Sequence, residues 1–203
     1  MLYFAAQLAA APFHPGYSFL KQEASQLGSN DSAHPFVFNA LVFASGVAAL
    51  CAVPGLVRAV RIAGGGRAIA SLTALAGCSS ACASMWAGWY HLPSVRHNPG
   101  YWGVGTAVVP LLLLVAFRQA RHACAMRTYR ALRMYLLVNV VAALVVQLLV
   151  WRYPAEAGAY RGLVQRINAL LVYMPAAVVA WWTLAHGARE EAAVASTASF
   201  PLF

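Results

Sequence analysis

The stretch FVFNALVFASGVAALCAVPGLV, which runs from Phe36 to Val57, contains no charged residue. An α-helix needs about 20 mostly apolar residues to cross the hydrocarbon core of a bilayer. Pro35 precedes the stretch, and proline fits the first turn of a helix, where its missing N–H costs little. We therefore predict a membrane-spanning helix here, with the side chain of Asp31 or Ser32 as its N-terminal cap.

The composition of the whole chain extends this prediction. The 203 residues are 62% hydrophobic and 9% charged, whereas a soluble domain is roughly one-quarter charged. Five further apolar runs complete the pattern: residues 1–13, 68–90, 101–117, 134–151 and 163–186. The predicted fold is all-α, a polytopic transmembrane helix bundle of six spans. It forms a single domain over residues 1–187, followed by a flexible cytoplasmic tail at residues 188–203. The first run is short for a span, which predicts a tilted helix, a thin membrane or a start further upstream.

The basic residues predict the orientation of the bundle. Nine of the fourteen lie on one side of the predicted spans: Arg58, Arg61, Arg67, Arg118, Arg121, Arg127, Arg130, Arg133 and Arg189. The other side carries Lys21, Arg96, Arg152, Arg161 and Arg166. Because the side richer in arginine is normally cytoplasmic, we predict a protein of the cell inner membrane with both termini in the cytoplasm. The basic residues behind the net charge of +9 then set the orientation in the membrane and contact anionic lipid headgroups. We therefore expect no nucleic-acid partner.

This orientation places the segment PGYSFLKQEASQLGSNDSAHPF, from Pro15 to Phe36, outside the cell. Phe19, Leu20, Ala24 and Leu27 recur in it at helical spacing, which predicts a short amphipathic helix that Gly28 ends in a left-handed conformation. Most carboxylates and imidazoles also lie on this side. The sequence therefore predicts that any chemistry takes place at the outer face.

Four outer residues are candidates for acid–base catalysis. His97 and His91 carry imidazoles that titrate near neutral pH, and Glu23 or Asp31 would orient them. The alternative for the acids is capping and surface solvation. The histidines lie in a loop without the spacing of a zinc site, and the sequence lacks the common cofactor motifs, so no metal or cofactor is expected.

Arg166, at the outer end of the sixth span, is the first candidate for ligand binding. It would either pair with an outer acid (Glu156, Glu23 or Asp31) or hold a phosphate or carboxylate headgroup. The other candidates are Ser25, Asn39, Trp89 and Tyr101. The alternative for Asn39 is hydrogen bonding within the protein, and for Ser25 it is capping and surface solvation. For the aromatic pair the alternative is an interfacial aromatic belt. Trp181 and Trp182 are predicted to mark the opposite interface in the same way.

The segment from Pro15 to Leu50 resembles an uncharacterised family of bacterial and archaeal six-helix membrane proteins. That family is known only as domain of unknown function number nine hundred and ninety-eight. The resemblance is carried by Pro15, Gly16, Tyr17, Ser25, Leu27, Gly28, Phe38, Asn39 and Gly46, with His97 or His91 as the family's histidine before span four. The layout is also similar, more weakly, to the Frag1/DRAM group, some members of which are linked to lipid remodelling. The first resemblance implies a six-helix membrane protein and no assigned activity.

We therefore expect a bacterial integral inner-membrane protein that binds or scaffolds around a lipid or other hydrophobic small molecule at its outer face. The alternative is a membrane-embedded enzyme, such as a lipid or hydrophobic-metabolite hydrolase, transferase or isomerase/cyclase, that uses the external histidines and carboxylates. Enzymatic activity stays open, because no motif pairs a nucleophile with its base. The expected partners are membrane lipids and a hydrophobic small molecule, and the question of a protein partner stays open.

Overall fold

The computed structural model describes residues 2–98, 100–118 and 126–198, and describes only the backbone of residues 101, 102, 126, 127 and 185–198. Within these ranges the chain is all-α, with no β-strand. The helices are α1 (Leu2–Ala10), α2 (Pro35–Ile62), α3 (Arg67–Trp89), α4 (Val104–Arg118), α5 (Met126–Arg152), α6 (Pro154–Ala159) and α7 (Arg161–Ala198). Short 3-10 helices cover Ala11–Phe13, Ala24–Gly28 and Gly100–Gly103.

Four helices contain segments long and apolar enough to cross a membrane: Pro35–Ile62, Arg67–Trp89, Thr128–Arg152 and Arg161–Leu184. The apolar segments Leu2–Phe13 and Val104–Arg118 are shorter. These six segments match the six predicted spans, and α6 is a short additional helix in the last loop. The chain is a multi-pass membrane protein built as an all-α bundle, which confirms the predicted fold class.

The N-terminus of α2 agrees only in part with the prediction from the sequence. Pro35 occupies the first turn as predicted, but the predicted side-chain cap from Asp31 or Ser32 is wrong. His34 is the capping residue, and its side chain makes no capping hydrogen bond. Ser32 instead donates its hydroxyl to the carbonyl of Phe13, 3.3 Å away, because the loop before α2 folds back onto the end of α1.

Helices α2, α3, α4 and α7 form the centre of the bundle. Helix α2 packs against α1, α3 and α7, and helix α4 packs against α3, α5 and α7. Among the four long spans, α5 buries the smallest part of its apolar segment and presents most of it to the membrane.

Glycines bring α2 and α3 into close contact. A Cβ atom at Gly88 would lie 2.7 Å from both the carbonyl oxygen of Asn39 and the amide nitrogen of Phe43. A Cβ atom at Gly46 would lie 2.8 Å from the backbone of Ala81 and Met85. Small residues permit this approach in lipid, where helix association depends on van der Waals contact.

One apolar core lies where α4, α5 and α7 meet α2 and α3, at the arginine-rich end of the bundle. The rings of Phe117 and Tyr129 lie 5.5 and 5.1 Å from the ring of Trp182. Trp182 is only 2% exposed, so its predicted place in an interfacial belt is wrong, because it packs inward against these two aromatic rings. Trp181 is 67% exposed, as a membrane-facing residue would be.

A second apolar core lies at the opposite end, where the loop of residues 14–34 covers α1 and α2. We call this loop the cap loop. The amphipathic helix predicted from Phe19 to Leu27 is absent, and its place is taken by turns and the 3-10 helix Ala24–Gly28. Gly28 is not left-handed either, and the space it leaves is filled by the side chain of Asn39. Contacts with other helices therefore override the local helical periodicity.

Helix α7 continues to Ala198, so the backbone of the predicted tail is helical as far as that residue. Residues 199–203 lie outside the described part of the chain. The flexibility of the tail and its cytoplasmic location stay predictions.

Candidate functional site

Arg166, on the second turn of α7, anchors the cap loop. Its Nη1 donates hydrogen bonds to the carbonyl oxygens of Phe19 at 2.7 Å, Gln22 at 3.1 Å and Gly162 at 2.7 Å. Its Nη2 donates to the hydroxyl of Tyr17 at 2.6 Å. One guanidinium group thus joins three points of the cap loop to the beginning of α7.

No carboxylate pairs with Arg166 within the described residues, so the alternative of an ion pair with Glu156, Glu23 or Asp31 is not realised there. The charge lies instead over the rings of Tyr17 and Phe19, 5.8 and 4.9 Å from their centroids. Such cation–π contacts and carbonyl dipoles stabilise a partly desolvated cation. The Nε atom is buried and has no hydrogen-bond partner among the described residues. Headgroup binding by Arg166 stays a prediction, and most of its donors are already engaged.

Other groups at the start of α7 strengthen this attachment. Gln165 accepts a hydrogen bond from the amide of Ala24 at 2.7 Å, and the amide of Leu163 donates to the carbonyl of Leu20 at 3.0 Å. Gly162 lets the cap loop approach α7 closely, because a Cβ atom at this position would collide with carbonyl oxygens of the cap loop. Sequence reasoning missed Gly162 and Gln165, and their only sequence signal is their position within one helical turn of Arg166.

Tyr17 gives the attachment a predicted pH dependence. Burial raises the pKa of the Tyr17 phenol above its ordinary value of about 10, although the hydrogen bond from Arg166 offsets part of the rise. A raised pKa in the folded state favours the neutral phenol. The stabilisation by the Tyr17 phenol is therefore fully present below about pH 10. It is lost as the pH rises through the higher pKa that the phenol has in the folded state. We expect cap-loop protection from proteases to be constant between neutral pH and about pH 9, and to fall above about pH 10.

The Tyr17→Phe variant is the matched test of this prediction. Losing the hydroxyl should cost about 1–2 kcal/mol of unfolding free energy at neutral pH, because Arg166 loses an acceptor. The variant should then show a weaker decline in cap-loop protection at alkaline pH than the unmodified protein. Identical alkaline profiles for the two proteins would contradict the role given to Tyr17.

The predicted ligand residues Asn39 and Ser25 occupy different surroundings. Asn39 is buried and donates from Nδ2 to the carbonyl of Gly28 at 3.0 Å, which joins α2 to the cap loop. This contact is the hydrogen bonding within the protein that was its alternative interpretation. Ser25 is half-buried in the 3-10 helix of the cap loop, and its side chain makes no hydrogen bond with the described residues.

In the described part of the chain, no hydrogen bond or ion pair joins the four acid–base candidates to one another. His97 has its Nδ1 2.7 Å from the carbonyl oxygen of Tyr90, and His91 has its Nδ1 3.0 Å from that of Leu92. Both contacts lie within the loop between α3 and α4. Glu23 and Asp31 belong to the cap loop, and neither hydrogen-bonds to an imidazole within the described residues.

The structure holds no cluster of three or more histidine, cysteine, aspartate or glutamate side chains suited to a metal ion in the parts of the chain that it describes. Trp89 is 70% exposed and contacts the ring of Phe43 at 6.2 Å, a position suited to a membrane-facing aromatic belt. The side chain of Tyr101 lies outside the described residues.

One concave feature lies inside the bundle. It is a partly open cavity of about 390 Å³ between α1, α2, α3, α4 and α7. Its apolar lining is mostly small: Ala48, Ala49, Ala52, Val53, Leu56, Gly77, Val109, Val172, Ala176, Ala177 and Ala180, with Leu2 and Phe4 of α1. Sequence reasoning missed this cavity, although alanines repeat at helical spacing on both α2 and α7.

The polar part of the lining consists of hydroxyl groups. They belong to Tyr3, Ser45, Ser80, Ser84, Thr106 and Tyr173, and none of the lining residues is charged. The lining residues of α2 and α7 come from the middle of the two spans, so the cavity lies at membrane depth. Such an arrangement can enclose a hydrophobic molecule and give it a few hydrogen bonds.

A protein-family model described as "Protein of unknown function (DUF998)" matches residues 1–182. The match includes the cap loop, Arg166 and every residue that lines the cavity. No curated protein and no solved structure matches the chain.

Proposed function

The chain belongs to the DUF998 family, proteins of unknown function, and we propose that it binds one hydrophobic molecule, a lipid or lipid-like metabolite, in the cavity of its bundle. The single observation that carries this proposal is the cavity of about 390 Å³ at membrane depth. Ligand pockets usually measure about 300–1,000 Å³ and are lined mainly by apolar side chains with a few polar groups.

Packing physics supports an occupied cavity. Protein interiors contain few voids larger than a water molecule, and apolar voids do not hold water well. A space of this size between five helices therefore favours an apolar occupant, which recovers the missing van der Waals contacts. The surrounding membrane is a reservoir of such molecules.

The cap loop would close the outer end of the bundle above this ligand. We infer this orientation from the arginines at the opposite end, which would be cytoplasmic in the inner membrane together with both termini. Exchange of the ligand would then take place sideways, through the open part of the cavity. The alternative of a membrane enzyme that uses His91, His97, Glu23 and Asp31 draws no support from their contacts, because each residue bonds only within its own loop.

The proposal predicts that filling the cavity expels the ligand. Ala49→Phe and, independently, Ala52→Phe would place a ring in the space between α2 and α7. Protein purified in mild detergent should retain a bound lipid in native mass spectrometry, and each variant should lower its occupancy by about tenfold, equal to about 1.4 kcal/mol.

The control is Ala107→Phe, an exposed position on α4 that does not line the cavity. This variant should keep the lipid occupancy of the unmodified protein. Full occupancy in both filled variants, with the folding of all three proteins intact, would refute the proposal.

A further inference from the structure

The lining of the cavity restricts the chemistry of its ligand. Every polar side chain that lines it ends in a hydroxyl, and the lining contains no carboxylate, amine, guanidinium or amide side chain. A hydroxyl offers one donor and two acceptor positions and no charge. The lining therefore offers hydrogen bonds and no counter-charge.

Four of these hydroxyls form a row across the cavity wall, from Thr106 on α4 through Ser80 and Ser84 on α3 to Tyr173 on α7. The Oγ of Ser80 lies 3.0 Å from the Oγ1 of Thr106, and the Oγ of Ser84 donates to the carbonyl of Ser80 at 3.3 Å. The side chains of Ser84 and Tyr173 both line the cavity and lie close enough to interact. We call these four residues the hydroxyl row.

The hydroxyl row has unused hydrogen-bonding capacity. Ser80 and Thr106 share one hydrogen bond, in which one hydroxyl donates to the other, and the described residues provide no acceptor for the hydrogen of the second hydroxyl. Ser45 differs, because its hydroxyl already donates to the carbonyl of Val42 at 2.7 Å. A polar atom buried in hydrocarbon gains most by finding a partner, so the row favours a ligand with an oxygen that accepts a hydrogen bond.

A charged ligand would gain no comparable partner. Burying an ionised carboxylate or phosphate away from water costs several kcal/mol or more unless an opposite charge compensates it. Arg166 does not line the cavity, and its guanidinium group is bound to the cap loop. Ionised fatty acids and the phosphates of phospholipids are therefore disfavoured.

We propose, resting on the proposed function, that the ligand is an uncharged lipid whose polar group is a hydroxyl or a carbonyl held by the hydroxyl row. Long-chain alcohols, isoprenoid alcohols, quinones and diacylglycerols share this chemistry. The hydrocarbon part would lie against the alanines of α2 and α7, and the oxygen would lie beside Ser80, Thr106 and Tyr173.

The test compares three photoactivatable probes that carry the same diazirine-labelled chain: a fatty alcohol, the matching ionised fatty acid and the matching hydrocarbon. Protein in nanodiscs is irradiated, and the labelled peptides of α2 and α7 are quantified. The alcohol should label them about fivefold more than either other probe. The double variant Ser80→Ala, Thr106→Val and the single variant Tyr173→Phe should each remove the preference for the alcohol over the hydrocarbon while leaving hydrocarbon labelling unchanged.

The control variant is Thr73→Val, which removes a buried hydroxyl of α3 that bonds to Ile69 and lies outside the cavity. It should keep the preference for the alcohol. Stronger labelling by the fatty acid than by the alcohol, or a preference for the alcohol over the hydrocarbon that survives in the row variants, would overturn the proposal while leaving a hydrophobic ligand in place. Absence of cavity labelling by all three probes would instead overturn the proposed function as well.

Discussion

Replacing Arg166 with methionine should lower the free energy of unfolding by about 2–4 kcal/mol and expose the cap loop to proteases. Methionine keeps much of the side-chain length but has no donor. Two carbonyls of the cap loop and the hydroxyl of Tyr17 would lose their charged partner, and each such loss costs about 1–3 kcal/mol where water cannot replace it. Thermal unfolding in nanodiscs and limited proteolysis followed by mass spectrometry measure the two effects.

The matched control is Arg161→Met, earlier on the same helix, where the side chain is exposed. It removes the same charge and should change the unfolding free energy by less than about 0.5 kcal/mol. Arg166→Lys adds a second comparison, because a lysine keeps the charge but cannot reproduce the planar fork that reaches four acceptors. The structural role of Arg166 would be wrong if Arg166→Met and Arg161→Met had the same stability and the same cleavage pattern.

Replacing Gly88 with valine should lower the unfolding free energy by about 3 kcal/mol and separate α2 from α3. Even the first carbon of a side chain there would lie 2.7 Å from backbone atoms of Asn39 and Phe43, and backbone cannot move aside as a flexible side chain can. Overpacking of this kind costs about 1–3 kcal/mol and occasionally more. Thermal unfolding and cysteine crosslinking between the two helices would measure the effect.

The control for Gly88 is Gly55→Val, an exposed position of α2 where an added Cβ atom meets nothing within 4 Å. Valine has the better helix propensity of the two residues, so this variant should be neutral or slightly more stable. Gly88→Ala should lie between the unmodified protein and Gly88→Val. Equal stability of the Gly88→Val and Gly55→Val variants would refute the proposed close packing of α2 and α3.

The fold was predictable because a bilayer imposes one length on every span. The uncharged run from Phe36 to Val57 lies within α2. The prediction that Pro35 lies in the first turn of this helix was correct, because proline restricts its own backbone. Residues 19–27 were mispredicted because periodicity reports only which residues share a face. Their conformation is set by partners on α1, α2 and α7, such as Gln165, which is 141 positions away from Ala24 in sequence.

The candidate site was predictable only in part. Arg166 was singled out because a charge near a span is costly, yet its partners are carbonyl groups, which every residue possesses and no side-chain pattern reveals. The cavity was missed for a related reason. It arises where alanines of α2 and α7 leave space, and alanines in a membrane protein equally indicate tight packing until the neighbouring helices are known.

The neutral partners of Arg166 also determine how the cap loop responds to acid. A clamp built from an arginine and a carboxylate opens when acid protonates the carboxylate. Backbone carbonyls and a phenol accept hydrogen bonds without being protonated in that range, so acidification removes none of the acceptors that hold Arg166. The attachment of the cap loop therefore tolerates acid. If this end of the bundle faced an acidified exterior, the cap loop would stay attached and keep the bundle closed at that end.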